Sequence, residues 1–388
     1  MRIVDVCGFY SPKGGGVRSY VDQKFTQAHQ RGHDLTVIAP GPDDRVEPRP
    51  GGRVVWVESP PMPFDPAYHR FTRPEPIWRA MNAAEPDVVE GSSPWRGGWI
   101  AGHWQGSAAR AFVFHQDFVA GYPHVLLGGV MTPDAIDRLF APYWARLRRL
   151  SAQFDVTVTA GEWLASRLSR FGVHRPVAIP LGVEPDRFSP AHRDEALRRT
   201  LLAECALPSD GLLMLTVGRF HPEKRHRTII EGFARARARS DRPMGLVLAG
   251  DGLTRAAVEK YAAQAGNVLL LGAVTDRDRL ARLYASADVL LHGSAAETYG
   301  LVVAEAMASG LPVAAPAAGG AADLARLGAS RLYAAGDADA LASALLELLA
   351  DPPARRAAPI PTAGEHFTAL FDLYAGLIRQ RAERPIAA

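Results

Sequence analysis

Twice in this chain a short apolar run passes into a loop bearing glycine and proline, and then into a helix with one apolar face. The first instance starts at Arg2–Cys7 and passes through Gly8-Phe9-Tyr10-Ser11-Pro12-Lys13, followed by Gly14, Gly15 and Gly16. The spacing predicts a helix from Val17 to about Arg31, with Val17, Tyr20, Val21, Phe25 and Ala28 on one face and Gly32 as its stop. The second instance starts at Leu212–Val217 and passes through Gly218-Arg219-Phe220-His221-Pro222-Glu223. A helix over Arg227 to about Ala238 follows. Strand, glycine-bearing loop, helix and next strand form the repeating unit of a doubly wound parallel sheet, so the fold class is α/β.

A chain of 388 residues exceeds one ordinary domain and fits two. The polar stretch around Phe188–Arg193 divides it into a domain over 1–190 and one over 191–364, each Rossmann-like. The last helix, within 365–388, can cross back to complete the first domain. In the first half, strands are expected at Leu35–Ala39, Val54–Val57, Asp87–Glu90, Ala111–Phe114 and Asp155–Thr159. One long helix is expected over Pro133 to Phe154, with Ile136, Leu139, Phe140, Tyr143, Trp144, Leu147 and Leu150 inward and Arg138, Arg146, Arg148 and Arg149 outward. The second half alternates regularly, with strands at Gly245–Ala249, Val268–Leu271, Val289–His292 and Pro312–Ala315. Helices lie between them, and a late one spans Asp337–Leu349.

Net charge is +3, too mild to demand nucleic acid. Cys7 and Cys205 have neither metal-ligand nor redox spacing, which points to the cytoplasm. No run approaches a membrane span. The basic helix reads first as a solvated face on an ordinary packed helix, and second as a peripheral contact with the inner membrane surface.

The stretch from Ala295 to Pro316 carries the chemistry. Glu297 lies in a loop, and Glu305 is the only charged residue of the apolar helical run Gly300–Ser309. Gly310 sits where a helix ends at φ > 0, and Pro312 follows. An ionised Glu in so apolar a helix is costly unless it is paired or hydrogen-bonded. A helix start preceded by a carboxylate and followed by another suits a ligand with hydroxyls on either side of a diphosphate. The bland reading makes Glu297 a solvated acid and pairs Glu305 with a core cation. Elsewhere, the glycines at 14–16 allow backbone to approach a phosphate, and Arg219 and Lys224 supply a fork and a point charge after a strand end. His115 also ends a strand.

Taken together, GGG-V, His115 in FVFHQD, GRFHPEK, LAGDG, Glu297 and Glu305 in E-x7-E, and GLPVAAPAAGG resemble the retaining GT-B glycosyltransferases of the family-4 group. The resemblance covers nearly the whole chain and is strongest from Met214 to Asp323. It implies two Rossmann-like domains facing across a cleft, the second binding a nucleotide-diphosphate sugar and the first the acceptor. By that resemblance Arg219 and Lys224 would hold the diphosphate, and Glu305 the ribose hydroxyls. Glu297 would hold hydroxyls of the transferred sugar, helped by N–H groups around Tyr299, Gly300 and Leu301. Gly15 and Gly16 would approach the distal phosphate, His115 the sugar, and main chain near Gly272 and Val274 the base. The resemblance also implies no metal or cofactor, the two cations standing in for a metal. The triplets Asp276-Arg277-Asp278 and Asp337-Ala338-Asp339 read as helix caps.

The donor is expected to be GDP-mannose rather than UDP-glucose, from likeness to bacterial mannosyltransferases. The acceptor is a saccharide or, given the basic helix and the aromatic-rich loops expected at Trp95, Trp99 and Trp104, a lipid-linked saccharide at the inner membrane face. Glu90-Gly91-Ser92-Ser93-Pro94-Trp95-Arg96 departs from the family's usual motif, which leaves acceptor recognition open. A nicotinamide-dependent dehydrogenase is the alternative from another enzyme class, but GFYSPKGGG does not spell G-x-G-x-x-G. A nucleotide-sugar-binding module without turnover is the other.

Overall fold

The structure, a computed structural model, describes residues 1–12, 16–63, 65–352 and 355–383. Gly14 and Gly15 lie outside the described residues. Contacts divide the chain into two units. One comprises Met1–His115, Asp137–Ile179 and the segment from Ala363; the other comprises Gln116–Ile136 and Pro180–Thr362.

The first unit holds β1 (Arg2–Val6), β2 (Asp34–Gly41), β3 (Arg45–Arg49), β4 (Gly52–Glu58), β5 (Pro61–Met62), β6 (Asp65–His69), β7 (Val88–Gly91), β8 (Ala109–Phe114), β9 (Val156–Thr159) and β10 (Pro176–Ala178). Eight of these form one sheet in the order β10-β9-β8-β7-β1-β2-β4-β3, while β5 and β6 pair separately. Every pairing in the large sheet is parallel except β3 on β4. Its inner strands are buried on both faces, and they are largely apolar apart from Asp5 on β1 and Glu90 on β7. The helix Ala363–Ala382 adds Phe367, Leu370, Phe371, Tyr374 and Leu377 to the core built from Ile3, Val21, Phe25 and Leu35.

The second unit holds β11 (Leu212–Val217), β12 (Met244–Ala249), β13 (Val268–Gly272), β14 (Val289–Leu291), β15 (Val313–Pro316) and β16 (Ser330–Tyr333). Their order, β13-β12-β11-β14-β15-β16, is the doubly wound order 3-2-1-4-5-6. Strand order reverses between β1 and β7 in the first sheet, and between β11 and β14 in the second. Loops leaving the carboxyl ends of those four strands border the crevices where such sheets bind ligands.

Three expectations need correction. The helix expected over 133–154 is two, Pro133–Leu139 and Ala141–Ser151. Phe140 turns out of helical geometry and Pro142, in the first turn of the second helix, has no N–H to continue the first. The break also turns Leu139 outward, 59% exposed, while Trp144 stays buried and stacks on Phe171 at 3.9 Å. Last, Trp99 and Trp104 are not loop aromatics offered to a membrane. Trp99 lies within the helix Arg96–Gly102, and Trp104 is buried and donates to Asn82 Oδ1 at 2.7 Å. The four arginines of the basic face are exposed, and among the described residues no helix is long and apolar enough to cross a membrane.

Both acidic triplets do cap helices. Asp276 accepts from the N–H groups of Asp278 and Arg279, and Asp337 from those of Asp339 and Ala340. Replacing Asp337 by Ala should therefore cost about 1 kcal/mol of stability, read as a lower urea midpoint, and leave activity unchanged. Loss of activity without loss of stability would contradict the capping role.

Candidate functional site

The second unit brings Lys224 and Glu297 together at its strand-order reversal. After β11, Phe220 enters the core, tied by its N–H to Asp251 O at 2.8 Å and by its carbonyl to Thr254 N at 3.1 Å. A 3-10 turn at Pro222–Lys224 follows, and Arg225 takes the left-handed conformation before the helix His226–Arg237 begins. That turn carries Lys224 toward the loop after β14. Gly293 is the residue that lets it approach, since a Cβ there would lie 2.4 Å from the carbonyl oxygen of Lys224.

Lys224 Nζ is hydrogen-bonded to Glu297 Oε1 and lies 3.7 Å from Glu223 Oε1. The backbone of Glu297 is held in turn, its carbonyl accepting from Gly320 N at 2.7 Å. Burial pushes the Glu297 carboxyl up, but Lys224 and His292 more than offset it and leave it below its ordinary value. Burial likewise pushes the Lys224 ammonium down, and Glu297 and Glu223 raise it above its ordinary value. Both groups are thus charged at neutral pH. Arg219 is exposed and its side chain makes no hydrogen bond or ion pair among the described residues, so its fork remains available.

Gly300 caps the helix Leu301–Ala308 at φ +98, a conformation that side chains resist. Tyr299 is buried with no partner for its hydroxyl, and Leu301 is 39% exposed at the helix start, where N–H groups lack intrahelical acceptors. One turn on, Glu305 is buried and fully engaged. Arg277 Nη1 lies 3.0 Å from its Oε1, and Tyr284 OH donates to its Oε2 at 3.0 Å. Burial raises its carboxyl above the ordinary value, with Arg277 opposing. The sequence demanded a partner for this acid, and the structure supplies two. Gly272, at φ +73, ends β13, and Val274 lies on the loop between that strand and the helix that carries Arg277.

His115 and Gly16 belong to the first unit. Gly16 opens the helix Gly16–Gln30 with open space around its Cα, and Gly15 lies outside the described residues. His115 follows β8, its ring edge-on to Tyr20 at 5.1 Å. Burial pushes its imidazole down to about 4, with Asp5 pulling the other way, so it is neutral near pH 7. Around it lies a charge cluster that sequence reasoning missed. Asp5 on β1 and Glu90 on β7 are register partners, and Lys24 bridges them. Lys24 Nζ lies 3.1 Å from Asp5 Oδ2 and hydrogen-bonds Glu90 Oε2. Ser92 Oγ donates to the other Asp5 oxygen at 2.5 Å, and all three charged side chains are buried.

Arg277, Tyr284 and His292 were also missed. Arg277 was hidden inside an acidic triplet. His292 had a signal, because it ends a strand just as His115 does.

Two doubly wound units in tandem define the GT-B fold. Sucrose-phosphate synthase from Thermosynechococcus elongatus superposes with a TM-score of 0.70 at 22% identity, covering 98% of this chain and 97% of that one. Residues 14–187 match the family described as Glycosyltransferase Family 4, and residues 198–363 that described as Glycosyl transferases group 1. A GDP-mannose-dependent alpha-mannosyltransferase of Mycobacterium tuberculosis is 32% identical over 84% of this chain and 81% of its own. Its counterpart in Mycolicibacterium smegmatis is 33% identical, over 84% and 82%. The chain belongs to this glycosyltransferase family.

Proposed function

We propose that this protein transfers mannose from GDP-mannose to a hydroxyl of a saccharide or lipid-linked saccharide, with retention at the anomeric carbon and without a metal. The observation that carries the reading is the Lys224–Glu297 pair beside the uncommitted Arg219, at the strand-order reversal of the second sheet. Two cations there suit a diphosphate leaving group, whose negative charge grows as the glycosidic bond breaks. Two acids, Glu297 before the helix start and Glu305 inside it, suit hydroxyls on either side of that diphosphate. The mycobacterial relatives, GDP-mannose-dependent alpha-mannosyltransferases, favour guanosine and mannose.

In the proposed reaction the acceptor oxygen attacks the anomeric carbon from the face the diphosphate leaves. The acceptor proton passes to the departing phosphate oxygen, so no protein nucleophile is required. Calorimetry with GDP, UDP, ADP and NAD in the absence of metal tests the donor site. GDP is expected to bind; binding of NAD alone would overturn the reading. Proton NMR of the product tests retention, since an inverted anomeric configuration would exclude the same-face path.

A further inference from the structure

His292 sits directly after β14 and is only 4% exposed. Its backbone is held on both sides, N–H donating to Ala314 O at 2.9 Å and carbonyl accepting from Tyr333 OH at 2.6 Å. Its Nε2 nevertheless has no hydrogen-bond partner. That nitrogen faces Glu297 Oε1 at 3.6 Å, beyond hydrogen-bond reach, and Lys224 Nζ holds the same oxygen. A buried imidazole nitrogen left unsatisfied is costly, and a shift of under an ångström would satisfy it. The nearby His226 offers no such arrangement. It packs edge-on against Phe220 at 4.8 Å, and both of its ring nitrogens lack partners.

The proposed donor reaction creates a conflict at this oxygen. Lys224 is needed on the diphosphate, yet leaving Glu297 strands a half-buried carboxylate that would otherwise pull the lysine back. We infer that His292 is a positioning residue that takes over Oε1 of Glu297 when Lys224 turns to the donor. Donating from Nε2 while its other ring nitrogen faces the backbone of Ser294, it would hold the oxygen the ammonium releases. Glu297 then stays aimed at the sugar, and Lys224 moves without abandoning a naked charge. The inference rests on the donor reading above and concerns only how the site exchanges partners within itself.

The test is GDP titration by calorimetry on the full chain without metal, with steady-state kinetics against GDP-mannose. His292→Leu should weaken GDP binding by about tenfold, the size of one hydrogen bond to a charged group, and raise the donor KM. His292→Gln, whose amide nitrogen reaches the position of Nε2, should recover most of that loss, whereas the shorter His292→Asn should not. In a Glu297→Gln background, which removes the charge to be held, His292→Leu should have no further effect on GDP binding. Wild-type affinity in His292→Leu, or the same loss in both backgrounds, would overturn the inference. If His292→Leu does not fold, the contrast between the Gln and Asn variants decides: equal affinity for GDP refutes the role. Failure of the unaltered protein to bind any nucleoside diphosphate is a different result, and would bring down the donor reading itself.

Discussion

Lys224→Ala is expected to lower kcat for sugar transfer by about a hundredfold to a thousandfold, with the protein still folded. In the proposed reaction the ammonium would follow charge onto the leaving diphosphate, and Arg219 by itself would supply only half of the positive charge. Removing Lys224 also takes from Glu297 the strongest opponent of its burial, so the carboxyl should titrate higher than in the unaltered protein. Released GDP, measured with and without acceptor, reads the rate, and far-ultraviolet circular dichroism reads the fold. A folded variant with undiminished turnover would sink the role assigned to Lys224. Lys224→Arg should restore only part of the rate, since a planar fork cannot occupy the place of a point charge packed against Glu297.

The largest expected effect on stability lies in the first unit. Lys24→Met should cost about 3–5 kcal/mol, because it leaves two buried carboxylates, Asp5 and Glu90, facing each other across β1 and β7. Urea unfolding followed by tryptophan fluorescence measures it, and adding Glu90→Gln should return a large part of the loss. A Lys24→Met variant as stable as its parent would mean that the cluster is not held by charge pairing.

The same cluster sets a pH dependence. Burial raises the Glu90 carboxyl from 4.5 to about 7, with Lys24 opposing, so the folded protein keeps a proton that the unfolded chain releases. This group's contribution is full below the unfolded value and declines as pH rises through about 7. Midpoints should therefore fall between pH 5 and pH 8, and Glu90→Gln should remove most of that slope. An unchanged slope in the variant would place the titrating group elsewhere.

Much of the fold is legible in local chemistry. Helix and strand periods, and the glycine and proline loops after β1 and β11, suffice to read two doubly wound units. The helix C-terminus at Gly310, at φ +69, and the caps at Asp276 and Asp337 follow from neighbours within a few residues. Lys24 shows where that reading stops. It falls on the same helix face as Val21, Phe25 and Ala28, a position the period marks as inward, although a lysine is ordinarily kept in solvent. Only two carboxylates on adjacent strands make burial of that charge tolerable, and which strands are adjacent is not a local property.

The candidate site divides in the same way. By itself the sequence determined which residue types stand at strand ends and helix starts, because turn geometry and helix termini are set by short-range sterics and hydrogen bonding. Tertiary structure alone decided who pairs with whom. Lys224 meets Glu297 from 73 residues away, and Tyr284 meets Glu305 from 21. His292 and Lys224 converge on one carboxylate oxygen because the reversal of strand order sets β14 beside β11. Electrostatic partnership acts through space, and only the folded sheet brings those ends within a few ångströms.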